Sequence, residues 1–411
     1  VLKGLATKAI HGTNTRKEPH GTLRVPVYDN VAFEFENSKD IQLAFEGRKL
    51  AHSYTRISNP TVQDFEDKLR LVSDSLGVLA VSSGMAAISN VILTLAEAGT
   101  NIVASNFLFG NTYSLFEDTL KPWGLDVRYA DMTDLKQLTE AIDGKTRAIF
   151  LEVITNPQLQ VADIEAVTRV AHQHGVPVVL DGTVTTPFLF KSKDFGVDVE
   201  VISSTKYLSG GATSVGGVII DNGLADWGKN PRLEEWAGKY GPQAFLVRLR
   251  REVYRNVGAC LSPHNAFLQT LGLETAALRI ERSCANALNL ARLLKAHPKV
   301  QSVDYPGLET SAFHSIARKQ FPRGSGGILA FHLRDRDECY RFMDRLKLIK
   351  RATNINDNKT MVIHPASTIF GEYTPELKAQ MGVGEGLIRL SVGIEDLEDL
   401  EDDLNAALEA L

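Results

Sequence analysis

Between residues 76 and 220, short β-branched apolar runs alternate with stretches of helical period, and no other feature narrows the fold of this chain as far. "LGVLAVSS", "TNIVASN", "RAIFLEVI", "VPVVLD" and "VEVISS" read as strands that are apolar on both faces. Strands of that kind need cover on both sides, which predicts a largely parallel sheet between two layers of helix. Between the strands, "GMAAISNVILTLAEAG" predicts a helix opening at Gly84 and closed by Gly99. "DIEAVTRVAHQHG" predicts another, capped by Asp163 and stopped at Gly175, with Ile164, Val167, Val170, Ala171 and His174 on one face. A long helical stretch at 263–296 follows, then strands at "GGILAFHL" and "LIRLSVGI" and a last acidic helix. That second pattern predicts a smaller α+β domain. The first 60 residues are polar, with Gly and Pro scattered through them, and read as an arm.

A chain of 411 residues exceeds one ordinary core, so two domains plus an arm are expected. The net charge of −5 leaves no electrostatic footprint for nucleic acid, and the basic run "RLRREVYR" at 248–255 reads as a solvated helix face. No stretch reaches eighteen consecutive apolar residues and the first residues lack a secretory hydrophobic block, so the chain reads as cytosolic, with no membrane partner. It does not begin with Met, which points to residues upstream of Val1. Cys260, Cys284 and Cys339 are few, odd in number and widely spaced. They read as reduced interior thiols, neither disulfide nor metal site.

Ligands of open parallel sheets bind beyond the carboxyl ends of the strands, and three candidate groups fall there together. "SSG" at 82–84 ends a strand and opens a helix, so the amides of Gly84 and Met85 would face outward where a phosphate is favoured. Asp181 ends the next strand of interest, and Ser203, Thr205 and Lys206 of "SSTKYLSGG" end another. Singly, each has an ordinary explanation: a helix cap, a turn residue, a solvated lysine. Together, an anion cradle, a carboxylate and an amine describe pyridoxal 5'-phosphate (PLP) held covalently by the lysine, with the carboxylate on the pyridine nitrogen.

The blocks "YTRISNPT" (54–61), "SSGMAAI" (82–88), "TNPQLQVADI" (155–164), "VVLDGT" (178–183), "SSTKYLSGG", "LSPHNAFLQTLGLET" (261–275), "YPGL" (305–308) and "LIRLSVGIED" (387–396) resemble the Cys/Met metabolism family of PLP-dependent enzymes. They span nearly the whole chain in the family's order. Within the family, "HGTNTRKEPHGTLRVPVYDNVAF" and "TNINDNKTMVIHPAST" are most similar to the O-acetylhomoserine sulfhydrylases. The resemblance implies the aspartate aminotransferase type of PLP fold (fold type I), divided as an arm (1–56), a large cofactor domain (57–257) and a C-terminal small domain (258–411). It implies a homodimer as the smallest active unit, usually paired into a tetramer. Lys206 would hold the cofactor, Asp181 would face its ring nitrogen, and Ser203, Thr205, Gly84 and Met85 would bind its phosphate. Tyr54 and Arg56 would reach the phosphate of the neighbouring subunit. Asn156 would lie near the phenolic oxygen, and Arg389, aided by Asn354, would grip the substrate's α-carboxylate with its planar fork.

Two departures stand out. Where relatives place Tyr over the ring in "YGGT", this chain has "FGNT", with Phe109 at the stacking position; Tyr113 and Tyr54 are the candidates for a replacement hydroxyl. Where relatives often read "DNT", Gly182 stands in "DGT". The expected activity is replacement at Cγ of an O-acylhomoserine, acetyl favoured and succinyl open, by sulfide, a thiol or carrier-borne sulfur, giving homocysteine or methionine. The alternatives are a cystathionine γ-synthase, a cystathionine or methionine γ-lyase, and a PLP-binding protein without catalysis. Lys206 with Asp181 argues against the last, and Asn111, where methionine γ-lyases carry Cys, weakens the methionine-degrading reading.

Overall fold

The computed structural model describes residues 2–12 and 18–411. Seven strands make the large sheet: β1 (Gly77–Val81), β2 (Asn101–Ser105), β3 (Asp126–Ala130), β4 (Thr146–Glu152), β5 (Val178–Asp181), β6 (Val199–Ile202) and β7 (Gly217–Asp221), in spatial order β1-β7-β6-β5-β4-β2-β3. The pairs along β3-β2-β4-β5-β6 are parallel, and β7 runs antiparallel to both β6 and β1. Six carboxyl ends therefore share one edge. Both faces are apolar, as the sequence runs require. On one, Val179 and Val201 pack with Val91 and Ile92 of the helix Gly84–Leu95; on the other, Val178 and Leu180 pack with Ile164, Val167 and Ala171 of the helix Ile164–Gln173.

Five strands make the smaller sheet: β8 (Ser302–Asp304), β9 (Ile328–His332), β10 (Lys350–Arg351), β11 (Met361–Ile363) and β12 (Leu387–Ser391), in order β10-β11-β12-β9-β8. The helix Pro263–Ala296 joins the two bodies. Ser262 caps it by accepting from the Asn265 amide, and Pro263 supplies a preset φ at its first turn. Its first half packs Ala266, Leu273 and Ile280 against Phe65, Leu69 and Val218, while its last turns bury Ala287, Leu290 and Leu294 against the small sheet. No helix among the described residues is long and apolar enough to cross a membrane.

Two local expectations change. The helix from Gly84 stops at Leu95, because Ala96 is extended and Thr100 closes a turn by bonding both the amide and the carbonyl of Glu97. Gly99, at φ +83°, serves that turn instead of capping the helix. His174 is exposed, since the helix ends at Gln173 and the helical period no longer places it on the buried face. The arm also carries structure, for Leu5 and Ala9 of the helix Leu5–His11 enter the core beside Val62 and Phe65.

The basic run at 248–255 is helical, but it is not a solvated face. Leu249 and Tyr254 are buried, Arg248 is 7% exposed, and Arg250 pairs with Glu66 at 2.7 Å while also donating to the Val78 carbonyl. The second Glu66 oxygen accepts from the Ala80 amide of β1. This carboxyl thus ties the helix Pro60–Ser73 to a strand and to the basic run. Burial pushes its pKa up, offset in part by Arg250. Glu66→Ala leaves both an amide and a guanidinium without their partner, and is expected to cost about 2–4 kcal/mol, the lower end favoured because Arg250 keeps some access to water. The check is a lower urea midpoint at unchanged m-value.

Candidate active site

The carboxyl ends of β1, β4, β5 and β6 open onto a cavity of about 350 Å³. Its floor follows from the register: Glu152 is the β4 partner of Asp181, and Asp181 in turn lies opposite Val201 of β6. Two acidic side chains thus end adjacent parallel strands on the same face.

One end of the cavity is an anion cradle. Ser83 is the cap of the helix Gly84–Leu95, its hydroxyl accepting from the Ala86 amide at 3.0 Å, so the amides of Gly84 and Met85 stand at the positive end of the helix dipole. Gly84 is required there: a Cβ would lie 2.7 Å from the Cβ of Ser203. That closeness brings Ser203 and Thr205 to the helix start. Thr205 Oγ1 also holds the Gly216 backbone, bonding its amide and its carbonyl at 3.1 Å each.

Lys206 lies across from the acids. Burial pulls its pKa down to about 8, with the Arg389 charge adding to the effect. Its ammonium donates to Asn354 Oδ1 at 2.5 Å. Arg389, on β12, is 2% exposed and donates to Asn156 Oδ1 at 3.1 Å and to the Asn354 carbonyl at 3.2 Å. Its Nε is buried without a partner, and neither cation makes an ion pair with a carboxylate among the described residues. A desolvated guanidinium with a spare N–H beside an open cavity is a ready receptor for an anion.

Asp181 Oδ1 accepts from the Thr183 amide, and burial raises its pKa. Thr183 Oγ1 in turn accepts from the Ser203 amide at 2.8 Å, so the two strand ends are joined behind the carboxyl. Glu152 accepts from the amides of Phe109 and Asn156 with its two oxygens, and burial with the Asp181 charge pushes its pKa up to about 8.

Ten of the residues singled out in the sequence line this cavity: Lys206, Asp181, Gly84, Met85, Ser203, Thr205, Phe109, Asn111, Asn156 and Arg389. Asn354 sits just behind, bonded to both cations. Tyr54 and Arg56 lie outside it on exposed backbone, the Arg56 guanidinium 5.4 Å from the Tyr54 ring centroid and bonded to the Arg255 carbonyl. Tyr113 packs on Tyr129 and Tyr373 and does not line the cavity, so it supplies no hydroxyl there within this chain. Sequence reasoning missed Glu152 and Thr183. A Glu closing the apolar run "RAIFLE" was the available signal for the first, and "DGT" for the second.

The donor set fits PLP: amides at a helix start for a phosphate, a carboxylate for a ring nitrogen, and an amine of lowered pKa for an aldehyde. Comparison with known proteins agrees. The model of the family described as Cys/Met metabolism PLP-dependent enzyme matches residues 6–409. An L-methionine gamma-lyase of Pseudomonas putida is 37% identical over 100% of this chain and 98% of its own length. An O-acetylhomoserine sulfhydrylase structure from Wolinella succinogenes is 51% identical, with a TM-score of 0.78 over 86% of this chain and 99% of that one. A Campylobacter jejuni protein assigned as an O-acetylhomoserine (thiol)-lyase, whose structure carries N'-pyridoxyl-lysine-5'-monophosphate, is 35% identical, with a TM-score of 0.95 over 99% of this chain and 100% of that one. The smaller mixed sheet beside the large one matches the fold type I arrangement of these PLP enzymes. The chain belongs to the Cys/Met metabolism family of PLP-dependent enzymes.

Proposed function

We propose that the protein replaces the Cγ acyloxy group of an O-acylhomoserine, acetyl by preference, with sulfide or a thiol. The observation that carries this reading is Asn354, bonded to the Lys206 amine through its side chain and to Arg389 through its carbonyl. It belongs to "ATNINDNKT", the segment most like the sulfhydrylase branch. The 51% identity to the Wolinella sulfhydrylase supports the same choice. The second reading, methionine γ-cleavage, rests on the Pseudomonas relative. Asn111 speaks against it, since it lines the cavity where methionine γ-lyases carry Cys.

When bound, PLP supplies an electron sink for charge that develops at the substrate's Cα. The residues supply the rest. Gly84, Met85, Ser203 and Thr205 would hold the phosphate, and Asp181 would face the ring nitrogen as an anion, its burial offset by the positive charge opposite. Glu152 fixes the backbone of both Phe109, which would stack on the ring, and Asn156, which would lie near the phenolic oxygen. Arg389 would take the substrate carboxylate. Lys206 would hold the cofactor and, once released from it, move the proton between Cα and the carbons beyond. With a pKa of about 8 roughly one amine in ten is uncharged at pH 7, against about one in 2,500 for an unperturbed lysine. Acetate would leave from Cγ as a proton is taken from Cβ, and the sulfur nucleophile would add at Cγ as that proton is returned. Tyr54 and Arg56, exposed and outside the cavity, would complete the phosphate site of a second subunit, which makes the homodimer the proposed active unit.

Purified protein given O-acetylhomoserine and sulfide is expected to release homocysteine, with 2-oxobutyrate from methionine formed at about a hundredth of that rate or less. Predominant release of 2-oxobutyrate would replace this reading by the lyase. Arg389→Lys gives up a bidentate fork for a point charge, and kcat/KM should fall about 10- to 100-fold, most of it in KM. Since only the uncharged Lys206 amine can attack the cofactor's aldehyde, PLP uptake by apoprotein should quicken about ten-fold per pH unit below pH 8 and level off above it. Stopped-flow absorbance at a series of pH values checks this.

A further inference from the structure

Glu200 is a carboxyl that the proposed chemistry does not use, and it lies in the middle of a strand of the large sheet. It is wholly buried in β6, between Val199 and Val201. One oxygen accepts from the Ser192 hydroxyl, which itself accepts from the Asn222 side chain at 3.0 Å. The other oxygen, Oε1, has no partner among the described residues. A carboxylate anion in this place would need two or three donors or a cation. Ser192 is its one donor, and Glu200 makes no ion pair among the described residues. The side chain is therefore held as the neutral acid, in keeping with a pKa that burial and the Asp181 charge push up to about 8.

The unpartnered oxygen points at the backbone of Gly182. A Cβ on Gly182 would lie 2.0 Å from Oε1 and 2.9 Å from Cδ of Glu200. Gly182 is not strained into a left-handed conformation, so glycine is demanded here by space and not by φ. This accounts for "DGT" in place of "DNT": the volume that a side chain at 182 would take is filled by Glu200, reaching up from the neighbouring strand. The corner Asp181-Gly182-Thr183 is the one that aims Asp181 into the cavity, through the Thr183 amide and the Thr183–Ser203 bond.

We propose that Glu200, as a neutral carboxylic acid seated under Gly182, is the positioning residue for Asp181, and that Gly182 and Glu200 act as one unit in setting how Asp181 meets the cofactor ring. The proposal rests on the place of Asp181 at the ring nitrogen, and not on the choice between sulfhydrylase and lyase. A neutral acid supports the corner without adding a second anion, so Asp181 remains the single negative charge that faces the ring from β5 and β6. The Ser192–Asn222 relay anchors Glu200 from behind and keeps its other oxygen against Gly182.

The test is the rate of cofactor loss from holoprotein, followed by its visible absorption band, for Glu200→Gln, Glu200→Ala, Gly182→Ala, the double variant Gly182→Ala/Glu200→Ala, and Asp181→Asn, with the thermal midpoint of each. Glu200→Gln, neutral and of the same shape, should hold PLP within about two-fold of wild type with the band in place. Glu200→Ala and Gly182→Ala should each release it at least about ten-fold faster, and the double variant no faster than Glu200→Ala alone. The proposal falls if Glu200→Gln is as harmful as Glu200→Ala, because the ionised form would then be the working one. It falls equally if the two losses multiply in the double variant, or if thermal midpoints drop while band and release rate stay as in wild type. Should Asp181→Asn behave as wild type, the placement of Asp181 fails together with this inference. Should Asp181→Asn alone loosen the cofactor, only the inference on Glu200 fails.

Discussion

Two buried cations share one cavity, and Asn354 touches both. The Lys206 ammonium donates to its side chain, the Arg389 guanidinium to its carbonyl, and neither pairs with a carboxylate among the described residues. Taking two such charges out of water is costly, and their mutual repulsion adds to the cost. The outcome differs for the two because their chemistry differs. Burial brings the Lys206 amine down to about 8, close enough to neutral pH to release its proton, while Arg389, pulled down to about 9, stays charged there. One desolvated pair thus yields an amine ready to react and a guanidinium in want of an anion.

The acids are handled in the complementary way. Glu152 and Asp181 end adjacent strands in register, and burial raises both. Glu152 bonds two backbone amides, while Asp181 is braced by Thr183 and faces open space. A proton held on Glu152 removes a competing negative charge from beside Asp181, in keeping with the proposed role of Asp181 at a positive ring nitrogen. A second buried acid, Glu200, stands on the far side of Asp181, and burial pushes its pKa up in the same way.

The segment 354–358 carries a lesson about what sequence patterns hide. In "NINDN", the alternate residues Asn354, Asn356 and Asn358 reach, respectively, the Lys206 amine, the Thr183 carbonyl and the Gly210 carbonyl. Each bond spans well over a hundred residues, and each reaches the loops that carry Asp181 or Lys206. Read as a string, the segment looks like a polar loop, and only its likeness to the sulfhydrylases marked it out. The basic run at 248–255 misled for the same reason. Its charges fit a solvated face until Glu66, nearly two hundred residues away, is found opposite Arg250.

What the sequence determined by itself follows from local physics. Apolar β-branched runs of strand length, with helical stretches between them, admit a parallel sheet, and such a sheet gathers its carboxyl ends at one edge. Lys206, Asp181 and the "SSG" turn therefore fall on one edge, and the strand order β1-β7-β6-β5 brings them together there. Packing decided the rest, because it pairs residues whose separation in the chain carries no signal. The register of β4 on β5 brought Glu152 beside Asp181, and the crossing of β12 brought Arg389 to Asn156. Gly182 was visible as a departure from a pattern, but the reason for it lies eighteen residues away in Glu200, and only the folded chain puts that carboxyl where a side chain at 182 would stand.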